Sequence, residues 1–191
     1  STGAASWSWN FGDASPLDAT QNPSHTYTAA GNYTVTLTVT SQGNCTATVQ
    51  VPVTVFPRPT PQFIATTVCV GNPTTFTDQS SVSSGNITGW SWNFGDASPA
   101  NITQNPTHTY AIAGTYTVTL TVTSNNGCTA TSTLTVLVNP LPNAAFAASA
   151  VCVNNPTQFT DQSTIGSGNI QSWAWVFGDP NSGPSNTSIL Q

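Results

Sequence analysis

The stretch that decides the fold is Trp90–Val122, WSWNFGDASPANITQNPTHTYAIAGTYTVTLTV. An almost unaltered copy runs from Trp7 to Val39, and a truncated one begins at Trp173. Trp7, Trp90 and Trp173 follow one another at 83 residues, as do Asp13, Asp96 and Asp179. The same step carries His25 to His108, Cys45 to Cys128 and Cys69 to Cys152. A period of that length is too long for one solenoid unit and suits a small autonomous domain. Its phase predicts three pieces: residues 1–56 as the C-terminal part of one domain, 57–139 as a complete domain, and 140–191 as the N-terminal part of a third. The chain reads as a window on a longer tandem array.

Within the stretch, Trp90, Trp92 and Phe94 alternate with Ser91 and Asn93, so the three aromatics share one face of a strand. Such a ladder can be a carbohydrate-stacking platform or an inward-facing core strand. The core reading is preferred, because an interior aromatic buries roughly 150–250 Å². Gly95-Asp96 ends the strand in a turn. One Asp per repeat without a DxDxD cluster is weak material for Ca²⁺ and suits turn stabilisation better. One His per repeat, with no Cys, Glu or second His beside it, reads as a hydrogen-bonding residue at a strand corner.

The segment NYTVTLTVT (residues 32–40) puts Tyr33, Val35, Leu37 and Val39 on one face and four threonines on the other. Strict alternation in residues of high β propensity marks a half-buried antiparallel strand. Gln42-Gly43-Asn44 turns the chain into a return strand, Thr46–Val55, with Val49, Val51, Val53 and Val55 in alternation. The expected core is Trp9, Phe11, Trp92, Phe94, Tyr116, Val118, Leu120, Trp175 and Phe177. Between repeats lie FPRPTP (56–61) and NPLP (139–142), short linkers that proline makes semi-rigid. After the first linker, QFIAT, VCV and TTFTD supply further short strands. Short strands separated by turn signals every eight to twelve residues, roughly, predict an all-β sandwich with Greek-key connections.

Only 4% of residues are charged, Arg58 is the sole basic side chain, and the net charge is −5. That balance leaves no electrostatic footprint for nucleic acid. The 37% hydrophobic content, arranged in alternation, argues for a packed core over disorder. No stretch approaches the roughly 18 apolar residues of a membrane span.

With these motifs in view, the chain resembles the PKD (polycystic kidney disease-type) domain family. The resemblance rests on Trp90, Trp92, Phe94, Gly95 and Asp96, on His108 and Tyr110, and on Gly114, Tyr116, Val118 and Leu120. It implies tandem immunoglobulin-like (PKD-type) β-sandwich domains that are extracellular, non-catalytic and engaged in adhesion or spacing. The Cys-bearing tandem arrangement is similar to that of very large secreted bacterial surface proteins. One departure stands out: the glycine usual after FGD is Ala14, Ala97 or Pro180 here, so that turn should differ in detail.

Four cysteines in such a setting point to disulfides, since no CxxC or His pairing accompanies them. In an immunoglobulin-like topology Cys69 and Cys152 precede the second strand, and Cys45 and Cys128 follow the last hairpin turn, at opposite ends of a sandwich. An eight-residue strand spans about 26 Å, far beyond the ~7 Å Cα limit. Read strictly, that span argues against Cys69–Cys128 within one repeat; Cys45–Cys69 is disfavoured too, and bonds between neighbouring repeats are favoured. Cys69–Cys128 within one repeat stays open, because the two travel together.

The functional expectation is a structural module whose repeats form a rigid rod or filament at or outside the cell surface, by self-association with other copies or neighbouring repeats. The alternative is an adhesin, or a spacer beside a secreted enzyme, binding surface glycans or proteins. No catalytic residue, cofactor or metal site is indicated: paired carboxylates, an activated Ser or Cys and a phosphate loop are all missing from the sequence. Asn32, Asn44, Asn86, Asn101 and Asn186 lie in N-x-S/T sequons, which matter only in a host with the machinery to modify them.

Overall fold

The computed structural model describes residues 4–178 and 187–188. Among these there is no helix; the strands are β1 (Ala4–Asn10), β2 (Gly31–Ser41), β3 (Thr46–Val55), β4 (Phe63–Ala65), β5 (Val68–Cys69), β6 (Pro73–Asp78) and β7 (Ile87–Asn93). They continue with β8 (Thr107–Thr109), β9 (Gly114–Ser124), β10 (Thr129–Asn139), β11 (Phe146–Ala148), β12 (Phe159–Asp161), β13 (Trp175–Val176) and β14 (Thr187–Ser188). The sheets run β1-β2-β3, β5-β10-β9-β7, β4-β6-β8, β11-β12 and β13-β14. The chain separates into two compact units: Ser1–Gln62, Asp78–Ser91 and Leu120–Ser132 make the first, and Phe63–Thr77, Trp92–Thr119 and Thr133–Gln191 the second.

In the first unit, β2 and β3 form a long antiparallel hairpin in which Tyr33 faces Val53 and Leu37 faces Val49. The turn residue Asn44 takes φ 60°, a left-handed conformation that Asn tolerates. On the threonine face of this hairpin, the Thr38 and Thr48 hydroxyls meet at 3.1 Å across the strands. Burial is uneven along the return strand. Val53 and Val55 are half-buried, whereas Val49 and Val51 are 54% and 53% exposed, so alternation extends past the part of the strand that has a core to face.

In the second unit, side chains from two sheets meet. Phe63 of β4 stands edge-on to Trp92 of β7 at 5.0 Å between ring centroids, and Phe76 of β6 lies tilted 5.1 Å from Phe94. Offset and edge-on arrangements of this kind suit the ring quadrupoles and add to the area buried. Trp92 is 0% and Phe94 2% exposed, with Val118, Val136 and Val138 buried beside them in the same unit. Leu120 and Val122, which belong to the first unit, are buried as well. These inward rows of a two-sheet sandwich are the period-two rows of the sequence.

One short strand depends on its partner. β8 pairs with β6, Pro73 opposite Thr109 and Thr75 opposite Thr107. The matching residues of the first copy, Ser24–Thr26, are not a strand. Similarly, Phe146, Phe159, Trp175 and Phe177, the counterparts of Phe63, Phe76, Trp92 and Phe94, line an open apolar groove of about 440 Å³. Phe177 was expected in the core but is 37% exposed, and Trp175 is only half-buried.

Candidate functional site

The densest cluster of polar and aromatic groups is the corner that follows each FGD turn. Asp96 closes the turn: its Oδ1 accepts from the Ser98 backbone N–H at 3.1 Å and from the Ser98 hydroxyl at 2.6 Å. The other oxygen, Oδ2, lies 2.6 Å from His108 Nε2. Burial pushes the Asp96 carboxyl up, but the bonds from Ser98 and His108 outweigh it and hold the group at about 2. The His108 ring stacks on Phe94 at 4.1 Å and 5°, and meets Tyr110 edge-on at 4.6 Å. Tyr110 stacks on Tyr116 at 4.0 Å, and its hydroxyl donates to the Phe94 carbonyl at 3.1 Å. Tyr110 is fully buried, and that burial pushes its phenol well above the usual value.

The first copy rebuilds this corner. Asp13 accepts from Ser15 at 2.6 Å and lies 2.7 Å from His25; His25 stacks on Phe11 at 4.0 Å; and Tyr27 donates to the Phe11 carbonyl at 3.0 Å. Hydrogen bonds from Ser15, then His25, bring Asp13 to about 2.

Serine, histidine and aspartate meet here, but not in the order that catalysis needs. A hydrolytic triad requires the hydroxyl to donate to the imidazole while the carboxylate holds the other ring nitrogen. In this corner the Ser98 hydroxyl donates to the carboxylate, so nothing draws its proton toward His108. The arrangement locks a turn onto a strand.

Two glycine-related details tighten the same turn. Gly95 adopts φ +82°, and a Cβ there would come within 2.5 Å of the Thr117 carbonyl oxygen. Ala97 and Ala14 take φ 63°. Both alanines therefore sit in the left-handed region, at a cost of about 1–2 kcal/mol per residue. Pro180 lies outside the described residues.

The aromatic ladder is spoken for on its inner side. The Trp92 indole donates to the Thr103 carbonyl at 2.9 Å. Trp90 is half-buried, and its indole donates to Asp78 Oδ2 at 2.7 Å. The next copy repeats this with Trp173 and Asp161 at 2.9 Å. Asp161 is lowered first by the Ser163 side chain and next by the Ser163 backbone N–H, which donates at 3.0 Å, with Trp173 contributing less. This second aspartate of each repeat escaped the sequence reading; its clue was the fixed twelve-residue spacing to the outer Trp in both copies.

Of the other expected residues, Trp9 and Tyr116 are half-buried and Phe11 is buried. Asn32, Asn44 and Asn86 are exposed, whereas Asn101 is half-buried and its Oδ1 accepts from the Thr103 backbone N–H at 2.8 Å and hydroxyl at 2.7 Å. Asn186 lies outside the described residues. Cys45 and Cys152 are exposed, Cys69 and Cys128 half-buried, and all four are thiols.

The fold and the repeated corner define a tandem immunoglobulin-like β-sandwich protein. The sequence matches the PKD domain family over residues 1–55 and again over 57–138, and the chain belongs to that family. Among solved structures it is similar to the PKD1 domain of Vibrio anguillarum Epp, at 31% identity over 42% of this chain and 93% of that one, with a TM-score of 0.40. It is also similar to the PKD1 domain of the Vibrio cholerae metalloprotease PrtV, at 33% identity over 44% of this chain and 98% of that one, with a TM-score of 0.38.

Proposed function

We propose that this chain is a non-catalytic structural part of an extracellular tandem-repeat protein, in which domains of fixed length build a rigid rod or filament. The domains are residues 1–56, 57–139 and 140–191, the outer two being parts of their repeats. The observation that carries the reading is the rebuilt corner: Asp–His distances of 2.7 and 2.6 Å and Phe–His stacking at 4.0 and 4.1 Å recur one repeat apart. A unit so tied internally holds its length.

The linkers support stiffness. Thr60 exchanges backbone hydrogen bonds of 2.7 and 3.0 Å with Ser81, and Asn143 does so with Thr164 at 2.7 and 2.9 Å. Each proline-rich connector is thus fastened to the repeat it enters. The threonine faces support self-association. Their hydroxyls pair across strands at 3.1 Å in both hairpins, which leaves an uncharged polar surface with little repulsion against a second copy.

The alternative, a glycan-binding spacer, needs a free aromatic platform. The full burial of Trp92 and the Asp78 bond of Trp90 weigh against it. The test is light scattering on the array at its native length. Polymeric material whose size is unchanged between low and high salt is expected; a monodisperse monomer would overturn the reading.

A further inference from the structure

We propose that successive repeats are joined covalently by a disulfide between the β5 cysteine of one repeat and the hairpin cysteine of the next. Cys69, at the end of β5, is the pairing partner of Asn139 in the parallel β5–β10 ladder. The following residue, Val70, donates its N–H to the Asn139 carbonyl at 2.8 Å. Cys128 lies just after the β9–β10 turn, and its Sγ sits 3.9 Å from the carbonyl oxygen of Phe56. Phe56 and Asn139 are the same position one 83-residue step apart, each following the last valine of a return strand.

Applying the repeat step to the Cys128 contact brings the next repeat's hairpin thiol onto the Asn139 carbonyl, which Cys69 already flanks. Cys69 sits one strand spacing, about 4.8 Å, from Asn139, and the transposed thiol reaches the carbonyl of that same residue, so the two cysteines flank one position. The Cys45 thiol turns back on its own turn, 3.8 Å from the Gly43 carbonyl. A bond within one repeat does not fit. Cys69 adjoins the last residue of β10 and Cys128 precedes its first. A strand of that length spans about 36 Å at about 3.3 Å per residue.

In an array of such repeats, Cys69 therefore pairs with the counterpart of Cys128 in the following repeat, and Cys128 with the counterpart of Cys69 in the preceding one; none of the four pairs with another of the four. The bond forms by thiol–disulfide exchange with a small disulfide oxidant or a disulfide oxidoreductase. Two S–H bonds and the oxidant's S–S bond break, and one protein S–S bond forms. The two electrons and two protons leave with the oxidant as two thiols. The pairing rests on the reading of an array outside the cell, where such oxidants persist.

Non-reducing peptide mapping of the alkylated native array tests it. The expected result links the peptide containing VCVGNP to the hairpin peptide of the following repeat. A Cys69–Cys128 link, or free thiols throughout an array recovered outside the cell, overturns the pairing while leaving the structural reading intact. An array confined to the cytoplasm overturns that reading itself. A second measurement uses the chain alone, exposed to oxidised glutathione and weighed intact as the monomer. Glutathione adducts without any intrachain bond are expected; an intrachain bond between any two of the four cysteines overturns the proposal.

Discussion

Substituting Gly95 by alanine should cost far more than the same change at Gly127, and the gap measures how closely the FGD turn presses on strand β9. Both glycines sit in the left-handed region, at φ +82° and +77°. Placing an L-residue there costs about 1–2 kcal/mol, offset by about 0.4–1 kcal/mol because alanine restricts the unfolded chain. At Gly127 nothing lies within 4 Å of the added Cβ, so that balance is the whole effect, a loss of about 1 kcal/mol or less. At Gly95 the Cβ also meets the Thr117 carbonyl oxygen at 2.5 Å and the Thr117 N and C at 3.2 Å. Those atoms are backbone of β9, which lies between β10 and β7, so they cannot swing aside as a side-chain tip would. Relieving such overlap adds about 1–3 kcal/mol. Urea unfolding followed by tryptophan fluorescence, compared at unchanged m-value, reads the difference directly. Equal losses for Gly95→Ala and Gly127→Ala would refute the close approach of turn and strand.

Three other changes probe the corner and the core. Tyr110→Phe removes the donor to the Phe94 carbonyl and should cost about 1–2 kcal/mol in urea unfolding. Thr74 is fully buried and its hydroxyl has no partner, so Thr74→Val should leave the midpoint unchanged or raise stability by up to about 1 kcal/mol. The pH dependence follows from two groups. Asp96 is held at about 2 against an ordinary 3.8, so the stability it contributes is present above 3.8 and is lost as the pH falls through about 2. Tyr110 is raised above an ordinary 10, so its contribution is full below 10 and declines as the pH rises beyond it. Urea midpoints measured at both extremes should fall in wild type, with the alkaline decline reduced in Tyr110→Phe.

Much of the fold was written in the spacing. The Tyr116-Val118-Leu120-Val122 row reads as one face of a strand, and it is where burial concentrates. The FGD signal marked a turn because Gly95 has no side chain to clash with β9. Other features depend on partners that local pattern does not name. Strand β8 forms against β6, a partner that the HTY sequence does not name. Val49 and Val51 alternate as faithfully as Val53 and Val55 yet stay exposed, because alternation reports which face a residue takes and not whether anything covers that face. The Asp78–Trp90 bond joins a strand end to a residue twelve positions on, a pairing no short motif encodes. Ala97 showed the reverse effect: the corner fixed by Asp96 and His108 holds a non-glycine residue in the left-handed region.

The central claim is that the repeats build a stiff, extended structure outside the cell. Electron microscopy of the native array tests it most directly. The account predicts long rods or fibres of even width whose length scales with the number of 83-residue repeats, unchanged by salt. Compact, separate globules of one repeat array each would contradict it.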